Sequence, residues 1–140
     1  MKNSQSLLLT LAMVAPTCHA ADPAPASLEK KLVALAGADS RNCGSVALGG
    51  DQKPAIACAK TGVSSAVPFR VAIQVQGIDS LVWQGAARDA QGKLWMVFHD
   101  SDPSGGGGAA PTLSAMLCRE LVFSVDGKDA LECNPVVGEH

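Results

Sequence analysis

The chain has 140 residues, enough for one domain. Its formal net charge is −2, only 4% of its residues are aromatic, and tyrosine is absent. Such a balance gives no electrostatic basis for binding nucleic acid or an anionic membrane, and neither is expected as a partner.

The first twenty residues do not belong to the domain. Lys2 supplies a positive start, Leu7 to Ala15 an apolar core, and Cys18-His19-Ala20 an ending with small residues at the cleavage-determining positions. This reads as a secretory signal peptide cut after Ala20, which makes the protein periplasmic. Its apolar run is too short to span a bilayer, and no second candidate span exists. Acylation of Cys18 would call for Leu three residues upstream, where Ala15 stands. Processing removes one charge, Lys2, and leaves the mature chain at −3.

Cleavage also removes Cys18 and leaves Cys43, Cys58, Cys118 and Cys133. An even count in an exported chain implies two disulfides. Three pairings are open. Fourteen residues lie between the members of each successive couple, and Cys118 and Cys133 flank an expected hairpin. Those facts favour Cys43–Cys58 and Cys118–Cys133. Each loop of this size is worth roughly 3 kcal/mol by chain entropy. There is no C-x-x-C pair, and no metal site is expected.

In chain order, 21–26 is a mobile Pro/Ala leader. Ser27 caps a helix over Leu28–Ala36, Gly37 ends it, and Leu28, Leu32 and Leu35 form its apolar stripe. Ala38 to Gly50 reads as a loop holding Cys43. Asp51 is a good cap for a second helix, with Pro54 tolerated in its first turn. Ile56, Ala59, Val63 and Ala66 recur at helical spacing. Ala55, Cys58 and Gly62 beside them let this helix lie close to a sheet. Val67-Pro68 ends it.

The stretch Pro68–Asp102 organises the rest. Phe69, Val71, Ile73 and Val75 alternate with Arg70, Ala72, Gln74 and Gln76, the period of a strand. Gly77-Ile78-Asp79 breaks the run, and a second strand follows over Ser80–Arg88. Asp89-Ala90-Gln91-Gly92 reads as a type I turn with Gly92 left-handed, and a third strand runs over Lys93–Asp100. Pairing Asp89 with Lys93 sets Ala87 opposite Trp95, Gly85 opposite Val97 and Trp83 opposite His99. The other face carries Val82, Gln84, Ala86, Arg88, Leu94, Met96 and Phe98. Neither face is cleanly polar, so one meets the core and the other is covered or is a contact surface. The second helix is expected on the Phe69, Val71, Ile73 and Val75 face.

Ser101 to Pro111 holds Gly105 to Gly108 and reads as a flexible surface loop. Thr112 to Val125 forms one or two strand segments, Asp126-Gly127 a hairpin turn, Asp129 to Cys133 a returning strand, and Asn134 to His140 a tail. The domain, 27–140, is therefore α+β: one or two N-terminal helices packed on a four- to five-stranded antiparallel meander with two disulfides. The layout is similar to the cystatin-like arrangement, a likeness that carries no activity.

Chemistry is sparse. The glycine tetrad is not followed by Lys-Ser, Lys-Thr or a helix, so it is no phosphate loop. His99, Asp100 and Asp102 are the densest polar cluster, yet alternation puts His99 and Asp100 on opposite faces, and no metal or cofactor is expected. His99 is the only histidine within the expected helices and strands; the other histidine of the mature chain, His140, is its last residue. A hydrolase built on it finds Ser80 and Asp79 near the same sheet end but no nucleophile elbow, so no residue is assigned as catalytic. Trp83, Trp95 and His99 share a face and form a candidate binding face, read either as core or as partner anchors.

The signal peptide together with Asn42-Cys43-Gly44, Ala57-Cys58-Ala59, Pro68-Phe69, Asp79-Ser80 and Asp100-Ser101-Asp102 resembles small, four-cysteine exported proteins of Gram-negative bacteria. The resemblance brings no catalytic residues. Three functions stand against each other: a disulfide-stabilised periplasmic binding module, of the inhibitor or immunity type, whose partner is another periplasmic or secreted protein; a small enzyme using His99; and a structural accessory of the envelope. The oligomeric state is not readable.

Overall fold

The computed structural model describes residues 23–125 and 129–138. The signal peptide, the Asp126-Gly127 turn and His140 lie outside the described residues. The elements run α1 (Ala26–Ala36), β1 (Arg41–Val46), α2 (Lys53–Ser64), β2 (Phe69–Val75), β3 (Val82–Arg88), β4 (Leu94–Asp100), β5 (Thr112–Phe123) and β6 (Leu131–Pro135). They form one six-stranded sheet in the order β1-β2-β3-β4-β5-β6.

The fold is α+β, but the purely antiparallel meander is corrected to a mixed sheet. β1 runs parallel to β2, and α2 is the crossover between them. The stretch read as a loop around Cys43 is this missing strand. Its sequence, Arg-Asn-Cys-Gly-Ser-Val, holds a single branched apolar residue, so it shows no alternation. It is an irregular edge strand: its register shifts between Asn42 and Ser45, and Gly44 sits at φ +94°. The disulfide Cys43–Cys58 fastens it to α2, with Cα atoms 5.5 Å apart. Cys118–Cys133 fastens β5 to β6, at 5.4 Å.

The helix starts also differ. Ser27 lies inside the first turn of α1, whose flanking residue is Pro25 and whose first backbone bond runs from Glu29 N–H to the Pro25 carbonyl. α2 starts after Gln52. Asp51 still takes an orphan donor, accepting from Lys53 N–H at 3.1 Å.

From β2 to β4 the hairpin register is as the turn chemistry dictates. Trp83 pairs His99, Gly85 pairs Val97 and Ala87 pairs Trp95. Asp89 N–H donates to the Lys93 carbonyl, Gly92 N–H returns to the Asp89 carbonyl, and Gly92 adopts φ +85°. Arg88 and Leu94 therefore oppose each other, and alternation carries that assignment along both strands.

The two sheet faces are covered by different helices. α2 contributes Ala55, Ile56 and Ala59 against Phe69, Val71, Ile73 and Val75. α1 contributes Leu28, Leu32 and Ala36 against Ala72, Trp83, Ala87 and Val97 on the reverse. β6 closes the α2 side. Leu131 packs in the same cluster as Ile56 and Phe69. Buried Gln84 on β3 accepts from Leu131 N–H at 2.9 Å and donates to an Asp129 carboxylate oxygen at 3.1 Å.

Gly62 shows how close α2 lies. A Cβ at this position would collide with the ring of Phe69, which is fully buried. Gly62→Ala is expected to cost about 1–3 kcal/mol in chemical denaturation, the range for overpacking a filled core. Gly106→Ala, with nothing within 4 Å of the added carbon, is expected to stay within about 0.5 kcal/mol.

Candidate functional site

The three residues of the tryptophan face differ in burial. Trp83 is 2% exposed and His99 5%, and Trp83 packs in the cluster that α1 covers. Trp95 is half-buried and packs at the margin of the same cluster. Its indole N–H donates to Asp89 Oδ2 at 3.1 Å. Burial alone would raise the Asp89 carboxyl, but hydrogen bonds from Trp95 and from the Lys93 and Gln91 amides, with the Lys93 charge, hold it below the usual aspartate range. Two of the three residues of that face are thus interior, and the third is tied to the hairpin tip.

His99 makes no constellation with the residues weighed beside it. Its Nδ1 is buried without a partner among the described residues. Asp100, its neighbour, is on the other sheet face and lines a cleft with Phe98. No group of three or more His, Cys, Asp or Glu residues suited to a metal ion occurs among the described residues. No described helix is long and apolar enough to cross a membrane.

What the fold does gather is a cluster of loops at the end of the sheet where β2 ends and β3 begins. The connection Gln76–Leu81 is tight at its base: a Cβ on Gly77 would collide with the Ser80 carbonyl. It lifts Ile78 to 98% exposure, with Leu81 at 59% and Leu48 at 49% nearby. Ser101 holds Leu81 in place, since Leu81 N–H donates to Ser101 Oγ at 2.8 Å and Ser101 N–H donates to the Leu81 carbonyl at 3.0 Å.

This loop is a wall between two clefts. One, of about 430 Å³, is bounded by Leu48, Gln74, Leu81 and Ser101. The other, of about 400 Å³, has an apolar floor of Val75, Val82 and Phe98, and its rim carries Asp79, Asp100, Asp102 and Asp129, with no Lys or Arg among the described residues that line it. Hence an apolar projection stands beside an acidic cleft.

Asp102 organises the glycine loop that borders this cleft. Its Oδ1 accepts from Ser104 Oγ at 3.1 Å and its Oδ2 from Gly107 N–H. The Gly107 amide is the main cause that holds its carboxyl below the usual range, helped by donors from Ser104 and Ala109. Asp100 Oδ1 in turn accepts from Asp102 N–H at 3.0 Å.

The sequence pointed to Asp79, Asp100 and Asp102 as polar features but not to Ile78. The signal available was a lone aliphatic residue inside a Gly-x-Asp-Ser break, where burial has nothing to offer it. Asp129 was read only as the start of a strand. Neither a family model, a curated protein nor a solved structure matches the chain.

Two outcomes follow from this geometry. His99→Leu is expected to leave stability within about 1 kcal/mol, because the lost Nδ1 has no partner to leave behind. A loss well beyond that in urea denaturation would show that the ring holds a bond in the folded protein. Second, because the Asp102 carboxyl is lowered on folding, its contribution is present above the unfolded aspartate value and is lost as pH falls through the lower folded value. An NMR titration of the Gly107 amide is expected to show its midpoint below about 3.9, the ordinary aspartate value, and Asp102→Asn to abolish that step.

Proposed function

We propose that the protein is an exported, disulfide-stapled binding module of the inhibitor or immunity type, which engages another exported protein through the loop end of its sheet. The observation that carries this reading is Ile78, an aliphatic side chain held 98% exposed on a tight connection between two clefts. Isolated exposed aliphatics are ordinary, but here Leu48 and Leu81 flank the same cleft, and contiguous exposed apolar surface is the mark of an interaction site. The rigid base of the loop limits the entropy lost on docking. The aspartates described on the rim of the second cleft favour a partner with an apolar pocket bordered by Lys or Arg. Periplasmic location rests on the signal-peptide reading, and two disulfides are in keeping with an oxidising compartment.

The test is capture from periplasmic extract by the immobilised wild type and by Ile78→Asp. The variant is expected to keep its melting temperature and to lose at least about 2 kcal/mol of binding, the scale of an interface anchor. Binding is also expected to weaken with salt and with Asp79→Lys. Equal capture by wild type and Ile78→Asp would remove the loop end from the interface.

A further inference from the structure

β5 carries an open edge. It pairs with β4 over Thr112–Cys118 on one side. On its other side β6 reaches only as far as Cys118, with Val136 N–H donating to the Leu117 carbonyl at 3.2 Å. In an antiparallel ladder a residue turns its N–H and C=O to the same side, and successive residues alternate. Leu117 turns toward β6, so Ala115 and Leu113 turn the same way, along an edge that no described strand covers. The side chains there are exposed, Leu113 at 39% and Met116 at 45%.

The remaining edges are blunted. β1 carries Arg41 and an irregular register, and β6 carries Glu132 and Pro135. The β5 edge carries nothing of the kind, since no charged residue lies between Asp102 and Arg119.

We propose that this edge is a self-association site at which two copies pair β5 with β5, antiparallel, about a two-fold axis through Ser114. The backbone fixes this register. Centring on Ser114 sets Leu113 opposite Ala115 of the second copy, and Ala115 opposite its Leu113. These are the residues with free groups, and each couple exchanges two hydrogen bonds, so the outward N–H and C=O of Leu113 and Ala115 are satisfied on both strands. Pro111, which has no N–H, and the Leu117 carbonyl, already taken by Val136, end the ladder at either side. Across the junction Thr112 meets Met116, Ser114 meets its own copy, and no like charges oppose each other. A contact this narrow makes a concentration-dependent dimer, not an obligate one. It is independent of the Ile78 surface, and the two-fold axis points the two loop ends in opposite directions.

Sedimentation velocity over a range of concentrations, with residue-resolved hydrogen exchange, tests it. The purified protein is expected to move from monomer to dimer with concentration, and the Leu113 and Ala115 amides to become protected in parallel. Ala115→Pro removes an outward donor without touching the β4 ladder, and is expected to stay monomeric with an unchanged melting temperature. Ser114→Lys and Ser114→Glu are each expected to be monomeric, and their equimolar mixture to dimerise, which requires the two positions to face each other. Monomer at every concentration with fast exchange at Leu113 and Ala115 overturns the proposal. So does protection that is independent of concentration, which would mean that a segment of the same chain covers the edge. A dimer untouched by either Ser114 charge overturns it too.

Discussion

The constraint on which this structure depends is the burial of β2 and β3 from both sides. A chain this short covers two sheet faces only if its layers lie close, and close layers demand matched volumes. The match is made by opposition. On the α2 side the sheet supplies the large residues, Phe69, Val71 and Ile73, and the helix mostly small ones, Ala55, Ala59 and Gly62, beside Ile56. On the α1 side the roles reverse: the helix supplies Leu28 and Leu32, and the sheet supplies Ala72, Gly85 and Ala87. A Cβ on Gly85 would stand 3.0 Å from Leu32 and 3.2 Å from Leu28.

The outer strands cannot be held that way. β1 and β6 have few branched apolar residues, and only Leu131 among their side chains is deeply buried. A disulfide ties each of them to a better-packed neighbour, β1 to α2 and β6 to β5. The bridges restrict the unfolded chain in the two places where burial contributes least to the folded one. Gln84 adds a second tie to β6. A buried amide is expensive unless satisfied, and here both its ends are used, by Leu131 N–H and by Asp129.

What was legible in the sequence follows from the same physics. The β2 boundaries and the β3–β4 register were readable because alternation and the Asp-x-x-Gly turn are local signals, and the turn fixes everything downstream of it. Local disulfide pairing was readable from spacing and from the hairpin expected around Cys118 and Cys133. β1 was not, because a parallel edge strand is specified by the α2 crossover that returns to it and by Cys43, not by its own pattern. The face of Trp83 and His99 stood open between core and contact surface for a related reason. Nothing local says where the Leu28–Leu32 stripe of α1 will land, and that landing is what buries Trp83. Ile78 was passed over because exposure at a loop tip leaves no periodic trace.

With both faces of β2 and β3 covered by helices, the loop end and the open edge of β5 remain exposed, and the two differ in charge. The loop end gathers Asp79, Asp100, Asp102 and Asp129 around one cleft. The open edge of β5, Thr112–Leu117, carries no charged residue. Copies meeting end to end would bring like charges together, whereas copies meeting edge to edge would not. On the proposed reading, the aspartates would oppose pairing of one Ile78 surface with another, while pairing at the uncharged edge would depend on the geometry of its few backbone groups.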